Sequence, residues 1–207
     1  MLTDLRLTRA TQEVLLEAAA IQGRAFFDDP AMMFTFPDEA ERRERLPWLM
    51  QVGIACGLRL GHVDTTAGTM LGHAVWLAPG ATSVTPDVLN DNGFADAPRR
   101  MGEAALMRFG AFMEAASEAH ERLMPQPHWY LMILGVNPSL QGQGVGSALI
   151  APTLARADAD GLPCYLETSK ERNLIFYRRH GFEVRHEADI LDGSDSMHAW
   201  MMVREPR

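Results

Sequence analysis

Positive charge and cysteine are both scarce in this chain. Nineteen Lys and Arg stand against twenty-seven Asp and Glu, a formal net charge of −8, so the sequence lacks the basic surface that phosphate neutralisation along a nucleic acid requires. Nucleic acid is therefore not an expected partner, while an acidic balance favours solubility and mildly suits a cationic or amine ligand. The only cysteines, Cys56 and Cys164, are far apart and flanked by apolar residues, which fits small buried thiols rather than a disulfide and a reducing, cytoplasmic setting. No run reaches the ~20 apolar residues of a membrane span. The first ten residues, with Asp4, Arg6 and Arg9, contain no apolar core of signal-peptide length, so no membrane partner is expected. Clusters of His, Cys, Asp and Glu at metal-ligand spacing are missing, as is the elbow context of an activated serine at Ser139, Ser147 or Ser169; neither metal nor serine-hydrolase chemistry is expected. With no repeat or low-complexity tract and 47% hydrophobic composition, residues 1–207 are expected to form one domain.

What is present falls into two halves. In the first, Val14, Leu15, Ala18, Ile21 and Ala25 recur at helical spacing over Thr11 to Phe27, with Thr11 a candidate N-cap, until Asp28, Asp29 and Pro30 end the run. A second helix is expected over Asp38 to Leu60, strands over Gly61–Asp64 and Thr69–Leu77 joined by a Thr65–Gly68 turn, irregular chain over Pro79–Pro98 and a helix over Arg99–Leu123. The second half alternates more regularly: a strand Trp129–Val136, a glycine-rich turn, a helix from about Gly144 to Asp160, a strand Cys164–Thr168, a short helix Arg172–His180, and strands Glu183–Ile190 and Met197–Arg204. That order predicts an α/β fold with a mixed sheet.

The turn carries the most chemistry. It reads Leu134-Gly135-Val136-Asn137-Pro138-Ser139-Leu140-Gln141-Gly142-Gln143-Gly144-Val145-Gly146-Ser147 and passes from a strand end into a helix start. Its glycines let a ligand approach the backbone, and the first amides of a helix have no internal partner and lie at the positive end of the dipole, so a pyrophosphate suits it. A P-loop is excluded because no Lys follows the last glycine. A dinucleotide fingerprint fits Gly142 and Gly144, with Glu167 about twenty residues on, but puts Ser147 at its third glycine and lacks the further βαβ units such a domain uses. A purely structural glycine turn is the remaining alternative.

Gln141-x-x-Gly144-x-Gly146 after a strand resembles the acetyl-CoA signature of the GNAT superfamily, and Asn173, Phe176-Tyr177 and Gly181-Phe182 resemble its closing motif. Leu166-Glu167-Thr168-Ser169, Arg172-Asn173-Leu174 and Phe176-Tyr177 are similar to the puromycin N-acetyltransferase-like branch, over roughly Trp129 to Val184. The resemblance implies a central mixed, mostly antiparallel sheet of six or seven strands flanked by helices, splayed between its two middle strands. It implies acetyl-CoA as cosubstrate, no metal, and a monomer or homodimer that moves an acetyl group directly to a primary amine of a small molecule. It also implies residue roles: Leu134 and Val136 pairing with the pantetheine arm, Gly135 between them in the cofactor site, Gln141, Gly142, Gln143, Gly144, Val145, Gly146 and Ser147 holding the pyrophosphate, and Asn173 completing the cofactor site.

By the same resemblance Tyr177 protonates the leaving thiolate; without it, Tyr177 reads as a packed aromatic beside Phe176. An alkylammonium must lose a proton before attack, and Glu167, at a strand end where burial can raise its pKa, is the first candidate base or substrate anchor, with His128 and His73 behind it. The first-half helices would wall the acceptor cleft, with Phe27, Asp29 and Phe34 as substrate-binding residues and Phe26, Met32, Met33 and Trp48 beside them, although such residues are equally ordinary core. A protein or peptide acetyltransferase, a non-catalytic CoA-binding module and a dinucleotide-dependent oxidoreductase are the competing functions.

Overall fold

The computed structural model describes residues 5–193 and 195–207, so Asp4 lies outside the described residues. Along the chain run β1 (Leu7–Arg9), α1 (Leu15–Ala25), α2 (Pro30–Thr35), α3 (Glu39–Leu60), β2 (Gly61–Thr66), β3 (Gly72–Leu77), α4 (Pro86–Asp91) and α5 (Ala97–Met101). They are followed by α6 (Glu103–Leu123), β4 (Trp129–Val136), α7 (Val145–Asp160), β5 (Cys164–Thr168), α8 (Glu171–Arg179), β6 (Glu183–Asp192) and β7 (Asp195–Arg204). Seven strands form one sheet in the order β1-β2-β3-β4-β5-β7-β6. Every neighbouring pair is antiparallel except β4 and β5, as expected for a mixed sheet.

Apolar side chains on both faces of the sheet require cover on both. One face is closed by α7 and α8, which bury Leu149, Ile150, Leu154 and Tyr177 against Trp76, Leu131, Leu166 and Phe182. The other carries α1 and α3 over Val63, Val75 and Ile133. On that same side α2, α3 and α6 enclose Phe34, Phe36, Leu46 and Met50 against Tyr165, Met201 and Val203.

The middle of the sheet is its least regular part. β4 pairs with β5 only at Trp129↔Cys164 and Tyr130↔Tyr165, yet it stays paired with β3 as far as Gly72↔Val136, across a bulge in β4 that leaves Met132 without a partner opposite Val75 and Trp76. A bulge bends and twists the strand that carries it. The two central strands therefore part after two rungs.

Several local expectations are corrected. Thr11 makes no side-chain cap bond; a 3-10 turn over Gln12–Val14 leads into α1 instead. Asp28, Asp29 and Pro30 do end α1, but they also start α2: the Asp29 carboxylate accepts the Ala31 N–H at 3.1 Å, and Pro30 occupies the first turn, where its missing N–H costs nothing. Pro79–Pro98 is not wholly irregular, because Thr85 caps α4 through the Val88 N–H and Pro86 opens it. The three-residue β1 was too short to show periodicity.

Close packing makes a prediction at two glycines. Gly61 opens β2 against β3, and a Cβ there would run into the Trp76 carbonyl oxygen, whereas a Cβ at Gly110 on α6 meets nothing within 4 Å. Gly61→Ala should cost about 2 kcal/mol by overpacking, a Tm fall of roughly 4–8 °C. Gly110→Ala should add about 0.5–1 kcal/mol through helix propensity. Thermal melts of the two variants check both.

Candidate active site

The glycine turn joins β4 to α7 and is braced from within. The Gln141 side-chain amide donates to the Val136 carbonyl at 3.2 Å, and that of Gln143 to the Ser139 carbonyl at 3.3 Å. Gly142 and Gly144 have φ of +75° and +90°, a left-handed backbone that penalises any side chain. The first helical bond of α7 runs from Ala148 N–H to the Gly144 carbonyl, and Gly144 offers no side-chain cap. The amides of Val145, Gly146 and Ser147 thus gain no partner from the helix and lie at its positive end, a geometry suited to a diphosphate. The Ser147 hydroxyl also lies 2.9 Å from His180 Nε2.

Strand alternation shows which backbone groups face the gap between β4 and β5. Asn137 N–H donates to the Leu71 carbonyl at 2.8 Å. Following the register back, Gly135 and Ile133 point their amides to β3, so those of Leu134 and Val136 point to the gap. Gly135 also leaves room for α1: a Cβ there would run into the buried Gln22 side chain, which would have to shift.

A cavity of about 320 Å³ opens from this gap toward α3 and α6. Leu134, Thr168, Ser169, Asn173 and Tyr177 are in its lining, with Phe26, Met32, Met50, Phe109, Phe112 and Met113 giving it an apolar body. Asp29, Glu121 and Glu167 also line it, and no Lys or Arg does among the described residues. The wall therefore combines apolar surface with carboxylates.

Glu167 is half-buried and lines this cavity. Its Oε2 accepts the Tyr130 hydroxyl at 2.7 Å. Burial pushes its pKa up to about 7, against the pull of Tyr130 and a weaker pull from Tyr165; the Tyr165 hydroxyl meets no partner at hydrogen-bond geometry. Tyr177 is buried at 7% exposure, and burial, with the Asp29 carboxylate adding to it, raises the phenol above its ordinary value. A phenol so placed keeps its proton until a strong base appears. The Asn173 side chain donates to Thr168 Oγ1 at 3.1 Å, fixing α8 to the end of β5.

Asp29 is held by a double clip. Its carboxylate accepts the Ser169 hydroxyl at 2.6 Å, and the neighbouring Asp28 pairs at 2.6 Å with Lys170, the one lysine in the chain. Burial raises the Asp29 pKa, opposed first by the Ser169 hydrogen bond.

The structure therefore brings Tyr177, Glu167, Asn173, Leu134 and Asp29 to one cavity, while Gly135, Val136 and Gln141 to Ser147 are not in its lining. It does not bring Phe27 or Phe34 there. Phe27 lies beneath the Arg42 and Arg43 guanidiniums, 4.8 and 4.9 Å from its centroid, and Phe34 is core. Met33 and Trp48 are also absent from the lining. His73 is fully buried with both ring nitrogens unpartnered, and burial takes it down to about 4. His128 does line the cavity, as do Tyr130 and His120, which periodicity alone gave no reason to select.

Glu167 makes stability depend on pH. Its folded pKa, about 7, exceeds the ordinary carboxylate value, so the native state binds the proton more tightly than the unfolded chain. That contribution is complete below the unfolded pKa and is lost as pH rises through about 7. Wild type should lose Tm relative to Glu167→Gln between about pH 5 and 7.5 and run parallel to it above. Tyr130→Phe, which removes the donor, should extend the loss to higher pH. Melts across pH on the three proteins read both effects.

Residues 102–184 match the profile of the family described as acetyltransferase (GNAT) domain, a span containing the turn, Glu167 and Tyr177. The chain is 26% identical over 200 residues to an uncharacterised N-acetyltransferase of Schizosaccharomyces pombe, covering 92% of this chain and 79% of that protein. A solved structure from Corynebacterium glutamicum, described as histone acetyltransferase HPA2 and related acetyltransferase, has TM-score 0.69 and 25% identity over 99% of this chain and 98% of its own. Arylalkylamine N-acetyltransferase 2 of Aedes aegypti shares the fold, with TM-score 0.68 and 12% identity over 99% and 100% of the two chains.

Proposed function

Since this chain is an acyltransferase that carries a GNAT acetyltransferase domain, we propose that it moves an acetyl group from acetyl-CoA directly to the primary amine of a small, largely apolar molecule. The observation behind the acceptor is the cavity: about 320 Å³, walled by Phe and Met, with carboxylates and no cation in its lining. That volume is at the small end of the range for ligand pockets. A positively charged amine head on an apolar body complements it in both charge and polarity.

Acetyl-CoA fits the residues present. The amides of Val145, Gly146 and Ser147 and the open faces of Gly142 and Gly144 would receive its pyrophosphate. The gap-facing backbone of Leu134 and Val136 would pair with the pantetheine arm as a strand does, and an amide there would polarise the thioester carbonyl. In this reading Glu167 takes a proton from the ammonium so that nitrogen can attack, and Tyr177 gives one to the departing thiolate. Asp29 and Glu121 would hold the amine's charge during entry. The whole of residues 1–207 serves as one cytoplasmic catalytic unit, and the likeness to the puromycin N-acetyltransferase-like branch at Leu166–Ser169 and Arg172–Leu174 belongs to the same reading.

A protein acceptor is the second reading, favoured by the name of the Corynebacterium relative. Thiol release against a panel of arylalkylamines, polyamines and basic peptides separates the two: turnover with arylalkylamines supports the proposal, and turnover with peptides alone contradicts it. Glu167→Gln should lower kcat/KM at least ~10²-fold and abolish a rise in kcat/KM with pH centred near 7. Tyr177→Phe should cut kcat roughly 10- to 100-fold while leaving the thermal shift by acetyl-CoA intact.

A further inference from the structure

The cavity holds two histidines that this chemistry leaves unused. His120, near the end of α6, and His128, just ahead of β4, meet Nε2 to Nε2 at 2.7 Å. His128 Nδ1 lies 2.7 Å from the Gln126 carbonyl oxygen. A carbonyl only accepts, so that nitrogen carries hydrogen, and in the neutral ring the His128 Nε2 is then an acceptor. His120 must therefore donate from its own Nε2, which leaves its Nδ1 bare. A single chain of hydrogen bonds thus fixes both tautomers and leaves one open position for a proton.

The surroundings connect the pair to Glu167. His120 stacks on Tyr165 with centroids 4.4 Å apart and planes 3° from parallel, and its centroid is 4.8 Å from that of Tyr130. Tyr130 is the donor to Glu167. The other charged groups nearby are Glu121 and Arg122 on α6, of which Glu121 lines the cavity and Arg122 is near enough to stabilise a Tyr165 phenolate. Burial takes His120 down to about 4, with His128 adding to the effect, and lowers His128 as well. Both rings rest neutral. At the other end of the pair, Gln126 and Pro127 are exposed.

Stoichiometry creates a task for such a pair. A primary ammonium that becomes an amide gives up two protons; one makes the thiol, and the other must reach solvent before the next turnover. On the amine-acetylation reading above, we propose that the His120–His128 pair is the exit for that second proton. The O–H of Glu167 breaks as N–H forms at His120 Nδ1, the proton being handed on by water entering the cavity that both residues line. The His120 Nε2–H then breaks as N–H forms at His128 Nε2, and the His128 Nδ1 proton passes to water at the exposed Gln126 loop. Each ring then carries its hydrogen on the opposite nitrogen, and water-mediated tautomerisation, which moves no net charge, resets the pair.

Two measurements on the full chain test this. His120→Gln keeps an amide hydrogen for His128 but cannot carry a proton. With an amine that the wild type acetylates, its kcat should fall at least tenfold, its KM for acetyl-CoA should hold, and rising imidazole buffer at fixed pH should restore turnover, whereas wild type ignores the buffer. An unchanged kcat, or a loss that imidazole does not restore, overturns the relay. Imidazole 15N NMR of the resting wild-type protein requires no variant to fold and should show His120 protonated at Nε2 and His128 at Nδ1; the opposite tautomer in either ring overturns it as well. Absence of thiol release by wild type with every amine would overturn the acetylation reading and the relay with it, and the expected tautomers in that protein would distinguish this result from failure of the pair alone.

Discussion

β4 and β5 are the only parallel neighbours in the sheet among the described residues, and they hold together through two rungs, Trp129 with Cys164 and Tyr130 with Tyr165. Had the pairing continued, Leu134 and Val136 would spend their backbone groups on β5, and there would be no space between the strands for a ligand. Because it stops, the polar edges of two central strands face each other across a gap in the middle of a packed domain. Unpaired backbone groups in such a place cost free energy unless something satisfies them. A ligand with an extended, amide-bearing arm would do so, and the bulge at Met132, in β4 itself, accompanies the bend that takes the strand away from β5.

The same two rungs set the electrostatics. Tyr130 and Tyr165 lie side by side where the strands still touch, and Glu167 follows two residues later on the Tyr165 face, so the carboxylate is aimed into the opening with a phenol donating to it. Burial alone would push Glu167 higher; the Tyr130 hydrogen bond holds it near neutrality, where a base can both take and release a proton. Tyr177, whose phenol burial also raises, stays protonated in the wall of the same cavity. Two titrating groups are thus driven to complementary protonation states by a single buried setting.

Features encoded by contiguous residues were legible in the sequence. Gln141 to Ser147 carry their own turn chemistry, the periodic helices and strands of the second half fall within a residue or two of their expected limits, and the resemblance anticipated the splay. Features that depend on rotation about a helix were not. One residue turns a helical side chain by about 100°, and at the end of α1 that step separates Phe26, which lines the cavity, from Phe27, which lies under Arg42 and Arg43. Phe34 was lost to the core in the same way while Met32, half a turn earlier, lines the site. Tyr130 and His120 acquire meaning only through the register of β4 on β5 and the packing of α6, contacts between residues distant in sequence. The α4 helix was hidden because its Thr-Pro start is also an ordinary turn signal.

The central claim is that the gap-facing backbone of β4 is completed by the acyl donor. Amide hydrogen exchange resolved at Leu134 and Val136, with and without acetyl-CoA, addresses it most directly. The account predicts that both amides exchange faster than those of Ile133 and Gly135 in the free protein and become protected when acetyl-CoA binds. Protection confined to Val145–Ser147, with Leu134 and Val136 unchanged, would contradict it.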